Sequence, residues 1–264
     1  MRNILRADLF RVVKDKMFLI LSIICVSISV VVPVAMFGLF SFVTDGNVPL
    51  RDAYTALSVT DLIASPFSTF GLVLIVFLLV LLGKDNNTLR NKVIVGKSRA
   101  EIYFSNAVLT WFLYLSFMLV HLIITFVVSL IFFKSGLDSE HIGDFIVGIL
   151  LKILGYATVA SSIVFFASAF HNVAPGIIFS ILLGNLFYVA GTIASSLINT
   201  QTEESVANTM KILTYVDYPY SIGLTLTAVS QGVMYLVPYL TSTVAFSALF
   251  IGFGYLIFKN KDLK

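Results

Sequence analysis

Residues 84–101 of this chain read KDNNTLRNKVIVGKSRAE and lie between two long apolar runs, residues 62–83 and 102–133. Seven of these eighteen positions are charged, although charged residues make up only 12% of the whole chain. A helix of about 20 apolar residues is long enough to cross the hydrocarbon core of a bilayer. The arrangement therefore predicts two membrane-spanning helices joined by a short basic loop.

Long apolar runs continue through the rest of the chain, whose mean hydropathy is +0.99. Residues 17–43 and 173–202 contain no Asp, Glu, Lys or Arg, and residues 145–170 contain only Lys152. Helices and closed barrels are the structures that satisfy every backbone polar group in lipid, and the alternation of barrel strands is absent. We predict an all-α polytopic membrane protein with one domain over residues 1–264. Its six transmembrane helices are expected at about 17–43, 62–83, 102–133, 145–170, 173–198 and 236–258.

The distribution of Lys and Arg predicts the orientation of these spans. With the N-terminus inside, the inner segments hold thirteen of these residues and the outer segments hold three, Arg51, Lys134 and Lys211. Such an excess on one side follows the positive-inside rule. Both termini are therefore predicted to be cytoplasmic, in a multi-pass protein of a plasma membrane that we expect to be bacterial. The net charge of +3 follows from this topology and does not indicate nucleic-acid binding.

Two further segments are expected to lie at the membrane without crossing it. In residues 1–16, Leu5, Leu9, Val12 and Val13 share one helical face, which favours an interfacial helix in contact with lipid headgroups. A plain positive-inside anchor is the alternative. The uncharged segment 221–235 precedes the last span and is rich in Gly, Ser and Thr. It favours a re-entrant segment over an ordinary extracellular linker.

The basic loop carries two sets of helix-boundary signals. Thr88 is a candidate cap for a short helix, and Gly96 is a candidate C-terminal stop. Ser98 and Glu101 have the spacing of a capping box, which places the start of the third span at about Arg99. These signals favour a defined docking helix over a basic loop that merely obeys the positive-inside rule.

The string TLRNKVIVGKSR at residues 88–99, followed by IYFSN at 102–106, resembles the segment between the second and third spans of bacterial ABC-exporter permeases. These are the type-two permeases of the six-span type V fold, among them exporters of peptide antibiotics and bacteriocins. The resemblance implies a coupling helix between spans two and three that contacts a cytoplasmic ATPase. It also implies a dimer, with an identical or paralogous second permease, that works with two ATPase subunits. ATP and Mg would then be bound by the ATPase, and this chain would hold no cofactor.

The resemblance also assigns roles to individual residues. Carried over position by position, the ATPase-coupling residues are Arg90, Asn91, Lys92, Gly96, Lys97 and Arg99, with a minor second contact at His171 and Asn172. The cargo path is expected along spans two and five. Its candidate wall residues are Phe67, Phe70, Phe77, Lys152, Asn185, Phe187, Tyr188 and Thr192. Aromatic and hydroxyl groups suit an amphipathic or hydrophobic cargo.

Lys152 and the small residues of span five allow more than one interpretation. Lys152 either lines the exit or pairs with Asp61, and the alternative is that it extends outward to the headgroups. Gly176, Ser180 and Gly184 lie near one helical face, with Gly191 and Ser195 further along. Small residues at this spacing let helices approach closely. The partner helix belongs either to this subunit or to a second copy.

No enzyme motif is complete. Gly96-Lys97-Ser98 imitates the end of a Walker A motif, but position 91 is Asn where that motif has Gly. The three histidines are too far apart in depth for one metal site, and Cys25 is the only cysteine. The sequence therefore predicts a non-catalytic permease subunit. The alternative is an ATP-independent channel or transporter, against which the scarcity of ionisable residues within the spans argues.

Overall fold

The computed structural model describes residues 2–43, 55–65, 68–87, 89–133, 142–170, 172–200 and 236–260. Within these residues every element is a helix, so the predicted all-α class is confirmed. The elements in chain order are α1 (Arg2–Lys14), α2 (Lys16–Val43), α3 (Ala56–Ile63), α4 (Thr69–Asn87), α5 (Leu89–Ile94), α6 (Arg99–Phe132), α7 (Ile142–Ala169), α8 (Val173–Thr200) and α9 (Leu236–Lys259).

Four of these helices contain a stretch long and apolar enough to cross a membrane, namely Lys16–Leu39, Arg99–Phe132, Ile146–Ala169 and Tyr239–Lys259. Two shorter apolar stretches, Thr69–Lys84 and Val173–Leu186, belong to α4 and α8. The structure thus supports a multi-pass membrane protein. Six crossings stay a prediction, and the candidate re-entrant segment 221–235 lies outside the described residues.

The central helix of the described bundle is α6, which packs against α2, α3 and α7, while α9 packs along α7. Hydrogen bonds from side chains add to these contacts. Trp111 of α6 donates to Ser161 of α7 over 3.1 Å, and Tyr239 of α9 donates to the Leu151 carbonyl over 2.8 Å. In a bilayer, an apolar side chain gains little by packing against another helix in place of lipid. Hydrogen bonds of this kind and close packing therefore hold the helices together.

The first small residues of α8, Gly176 and Ser180, pack within this subunit. Ser180 is buried, and a side chain built at Gly176 would lie 3.6 Å from the Phe166 carbonyl oxygen and 3.8 Å from Leu79. Gly176 therefore packs against α7, which contains Phe166, and α4, which contains Leu79. The opposite face of α8 is apolar and exposed at Ile178, Phe179, Leu182, Leu186 and Val189.

The second predicted span differs from the structure at its outer end. Residues 62–83 were expected to form one helix, but α3 ends at Ile63 and α4 begins at Thr69. Thr55 starts α3 with a capping box, in which its hydroxyl accepts from the Ser58 amide over 3.2 Å. Pro66, which has no amide hydrogen, lies in the intervening sequence. Hydropathy does not register this interruption, because the residues around it are uncharged.

Buried polar side chains from neighbouring helices bind the free carbonyls at the end of α3. His121 Nε2 lies 3.2 Å from the Ile63 carbonyl oxygen, and because a carbonyl only accepts, the ring donates from that nitrogen. The other ring nitrogen lies 2.6 Å from Ser29 Oγ. Tyr156 donates its hydroxyl hydrogen to the Ala64 carbonyl. The helix break is therefore a specified feature, since the last carbonyls of a helix need partners from outside it.

Replacing Tyr156 by phenylalanine is expected to lower stability by about 1–3 kcal/mol, because the buried Ala64 carbonyl loses its donor. Thermal unfolding in detergent measures the change. Tyr114 offers a matched control: its ring centroid lies 6.2 Å from that of Tyr156, and its buried hydroxyl has no partner among the described residues. Tyr114→Phe should be neutral or slightly stabilising. Equal effects of the two substitutions would contradict this account of the break.

Candidate functional site: the basic inner loop

Local hydrogen bonds fix the shape of the loop between α4 and α6. At the end of α5, the Gly96 amide donates to the Val93 carbonyl over 2.9 Å and the Lys97 amide donates to the Lys92 carbonyl over 3.2 Å. This pair of bonds is a Schellman motif, which requires a left-handed residue at its turn. Gly96 supplies it with a φ of 84°. The predicted stop at Gly96 is confirmed, whereas the predicted cap Thr88 lies outside the described residues.

The start of α6 is equally well defined. Ser98 Oγ accepts from the Glu101 amide over 3.1 Å, and the Ser98 amide donates to Glu101 Oε2 over 3.3 Å. This reciprocal pair is the predicted capping box. The loop therefore consists of one short helix, one turn and one fixed helix start, with little freedom between them.

Two of the predicted coupling cations make contacts inside the subunit. Lys92 Nζ lies 2.9 Å from Asp8 Oδ2 of α1, and the Lys92 side chain is only 16% exposed. Arg99 donates from Nη1 to the Lys259 carbonyl, the last of α9. These cations connect the loop to α1 and α9, so their interactions brace the loop from both ends of the chain.

A third contact, more exposed than the Lys92–Asp8 pair, lies at the end of α4. Lys84 Nζ lies 3.5 Å from Asp15 Oδ2, in the turn between α1 and α2. The Met17 amide donates to the same carboxylate over 3.1 Å and, together with the nearby Lys84 charge, lowers the pKa of Asp15. Asp15 thereby caps the start of α2 as well as pairing with Lys84.

The most exposed part of the loop is apolar. Ile94 is 72% exposed and Val95 is 77% exposed, the two highest values among the exposed large hydrophobic residues of the described chain. Both directly precede Gly96, where the chain turns. We call this pair the loop tip. Sequence reasoning concentrated on the cations and missed the tip, although the Val-Ile-Val run at 93–95 was the available signal.

The other predicted coupling residues are less informative. Arg90 and Asn91 belong to α5, but their side chains lie outside the described residues. Lys97 is half-buried after the turn. In the second inner connection, Asn172 is exposed immediately before α8, and His171 lies outside the described residues.

The predicted path residues do not form one surface in the described part of the subunit. Phe70 and Phe77 belong to its buried core, and the Phe70 ring centroid lies 4.7 Å from that of His121. The Lys152 side chain is completely buried and does not extend outward to solvent. Asn185 is exposed, although its amide donates to the Ile181 carbonyl of its own helix. Phe67 and the side chains of Phe187, Tyr188 and Thr192 lie outside the described residues.

The described residues contain no cluster of three His, Cys, Asp or Glu side chains that could hold a metal ion. The described residues form a bundle of apolar helices. The loop between α4 and α6 is held by hydrogen bonds and an ion pair, and exposed apolar side chains lie at its tip. These features define a multi-pass membrane protein with an ordered, partly exposed loop between two of its helices.

Comparison with known families gives a closer identification. The sequence matches the family described as ABC-2 family transporter protein over residues 13–192, and the chain belongs to this family. It is therefore an ABC transporter permease, a membrane component of a family that is generally non-catalytic and whose members work with an ABC ATPase. No curated protein and no solved structure matches the chain.

Proposed function

We propose that this permease is an exporter subunit and that its loop 89–99 is the coupling element seated on the ATPase. The observation that carries this proposal is the exposed loop tip, Ile94 and Val95, on a loop that is attached to α1 through Lys92 and to α9 through Arg99. Exposed apolar pairs at the end of a rigid loop are suited to a pocket in another protein. The family supplies the class of partner, an ABC ATPase.

The contact chemistry in this proposal is apolar at its centre and cationic around it. Burying an Ile or Val side chain contributes about 1.5–3 kcal/mol, so the tip supplies a substantial part of the affinity. Arg90, Asn91 and Lys97 belong to the rim, where charges steer association and fix orientation. Lys92, Gly96 and Arg99 act differently, by maintaining the shape and attachment of the loop. His171 and Asn172 form the minor contact.

The bracing suits the loop for transmitting movement. Because the Ser98 capping box begins α6 directly after the tip, a displacement of the loop is passed to the central helix of the bundle. Lys92 and Arg99 pass the same displacement to α1 and α9. The Walker-like Gly96-Lys97-Ser98 takes part in these turns, which supports ATP and Mg binding by the partner alone.

The proposed assembly contains two ATPase subunits and a second permease, either an identical copy or a paralogue. The exposed apolar face of α8 is a candidate contact for that second permease. The cargo is an amphipathic or hydrophobic molecule such as an antimicrobial or cytolytic peptide, exported from a bacterial cell for secretion, resistance or immunity. Phe67, Asn185, Phe187, Tyr188 and Thr192 remain candidate path residues.

The experiment is reconstitution of the chain in liposomes with and without an ABC ATPase encoded beside it. We expect a stable complex and transport of an amphipathic peptide that requires ATP hydrolysis. An ATPase variant with its Walker A lysine replaced should bind the permease without driving transport. Peptide or ion flux through the chain alone, at the same rate, would support an ATP-independent channel or transporter instead.

A further inference from the structure

Asp8 is a buried carboxylate on the helix that precedes the first span. Its side chain is 7% exposed, and its two oxygens face two different cations. Oδ2 lies 2.9 Å from Lys92 Nζ of α5, and Oδ1 lies 3.4 Å from Arg11 Nη2 one turn further along α1. The contact with Lys92 joins residues 84 positions apart and connects the first helix directly to the loop.

The Asp8–Lys92 pair is more buried than the Asp15–Lys84 pair, which joins the N-terminal region to the end of α4. In the pair of Asp15 with Lys84, the side chains are 36% and 60% exposed and the atoms are 3.5 Å apart. Exposed pairs of that kind contribute little, because water screens them and long side chains lose freedom. Removing one partner of a buried pair costs more, because the remaining charge loses a close interaction in a poorly hydrated site.

The two faces of α1 have different surroundings. Asp8 shares its inward face with Leu5, Leu9 and Val12, which pack into the main core. The outward face exposes Phe10 and Val13, and the Lys14 ammonium lies 4.4 Å from the Phe10 ring centroid. Exposed apolar side chains next to cations suit the lipid headgroup region. When α1 lies in the headgroup region, the position of Asp8 beside the loop is fixed.

We propose that Asp8 is a positioning residue that fixes the direction of the loop tip through Lys92. The carboxylate holds the Lys92 ammonium against α1, so α5 cannot rotate or lift without breaking a buried ion pair. In the assembled transporter the same pair makes α1 move with the loop when the ATPase displaces it. The second statement rests on the proposed function, whereas the positioning of the tip does not.

The positioning is tested on the permease alone. Cys25 is 1% exposed, so a spin label attached to a Val95→Cys variant reports on the loop tip with little background. We expect Asp8→Asn and Lys92→Met each to increase label mobility, with no further increase in the double variant. Asp8→Glu should restore most of the restriction. Asp15→Asn is the matched control and should leave the spectrum unchanged, because asparagine also caps a helix well.

Coupling is tested with the reconstituted complex, using unlabelled variants. We expect Asp8→Asn to lower the cargo transported per ATP hydrolysed at least about fivefold while the ATPase stays bound, and Asp15→Asn to stay within about twofold of wild type.

A tip that is equally immobile in Asp8→Asn and Asp15→Asn overturns the inference. Equal coupling ratios in those two variants overturn the linked movement of α1. A wild-type permease that binds no ATPase contradicts the proposed function and leaves the spin-label result to judge Asp8. Should Asp8→Asn not fold, Lys92→Met carries both measurements.

Discussion

Replacing Ile94 and Val95 together by aspartate is expected to abolish binding of the ATPase, with a loss of affinity of at least about 100-fold. The two side chains are the most exposed large apolar groups of the described chain. Their transfer from water into a pocket is the main apolar contribution that the loop can make. Two carboxylates in that pocket would add a desolvation penalty. Co-purification of the complex and ATP-dependent transport measure the effect.

Several variants separate this effect from damage to the permease. Ile94→Ala with Val95→Ala should weaken binding to an intermediate degree, because part of the apolar contact is kept. Asn260→Asp adds a negative charge at an exposed residue just after α9, outside residues 89–99, and should bind normally. Full binding by the double aspartate variant, or an equal loss with Asn260→Asp, would show that the tip is not the contact.

The same geometry changes how charge substitutions in the loop are to be interpreted. A loss of binding after Arg99→Glu does not identify Arg99 as a contact with the partner. That substitution also removes the donor to the Lys259 carbonyl and separates the start of α6 from the end of α9. Lys92 has the same ambiguity because of Asp8. The tip residues have no such internal role, since most of each side chain is exposed.

The features that sequence predicted well are those specified by neighbouring residues. Composition and run length determine the all-α membrane class, because the bilayer allows few alternatives. The stop at Gly96 follows from one glycine, and the capping box follows from Ser98 and Glu101, three positions apart. Such local signals are readable without knowledge of the tertiary structure.

The features that sequence missed depend on distant partners. Arg99 and the carbonyl that it binds are 160 positions apart, and nothing local distinguishes this arginine from a surface cation. The break between α3 and α4 depends on donors from α6 and α7, which hydropathy does not reveal. Phe70 was assigned to a path wall by its span alone, whereas its neighbours Phe117 and His121 place it in the core.

Replacing Gly254 by leucine is expected to displace α9 and destabilise the protein by about 3 kcal/mol. A Cβ atom at this position would lie 2.5 Å from Tyr103 Oη and 3.3 Å from the Phe165 Cα atom. Tyr103 could rotate away only by giving up its 2.9 Å hydrogen bond to the Ile251 carbonyl, and the backbone of α7 at Phe165 is held in the bundle. Thermal unfolding in detergent measures the loss.

Gly252, two residues earlier in the same helix, is the matched control because a Cβ atom there would have no neighbour within 4 Å. Gly252→Leu should be neutral or stabilise by up to about 1 kcal/mol, since leucine favours a helix more than glycine does. Gly254→Leu should therefore lower the unfolding temperature, whereas Gly252→Leu should leave it unchanged or raise it. Because the last carbonyl of α9 binds Arg99, a displaced α9 also loses its hold on the loop. Gly254→Leu should consequently weaken ATPase binding, whereas Gly252→Leu should not. Equal ATPase binding and equal unfolding temperatures in the two variants would disprove this packing of α9 against α6 and α7.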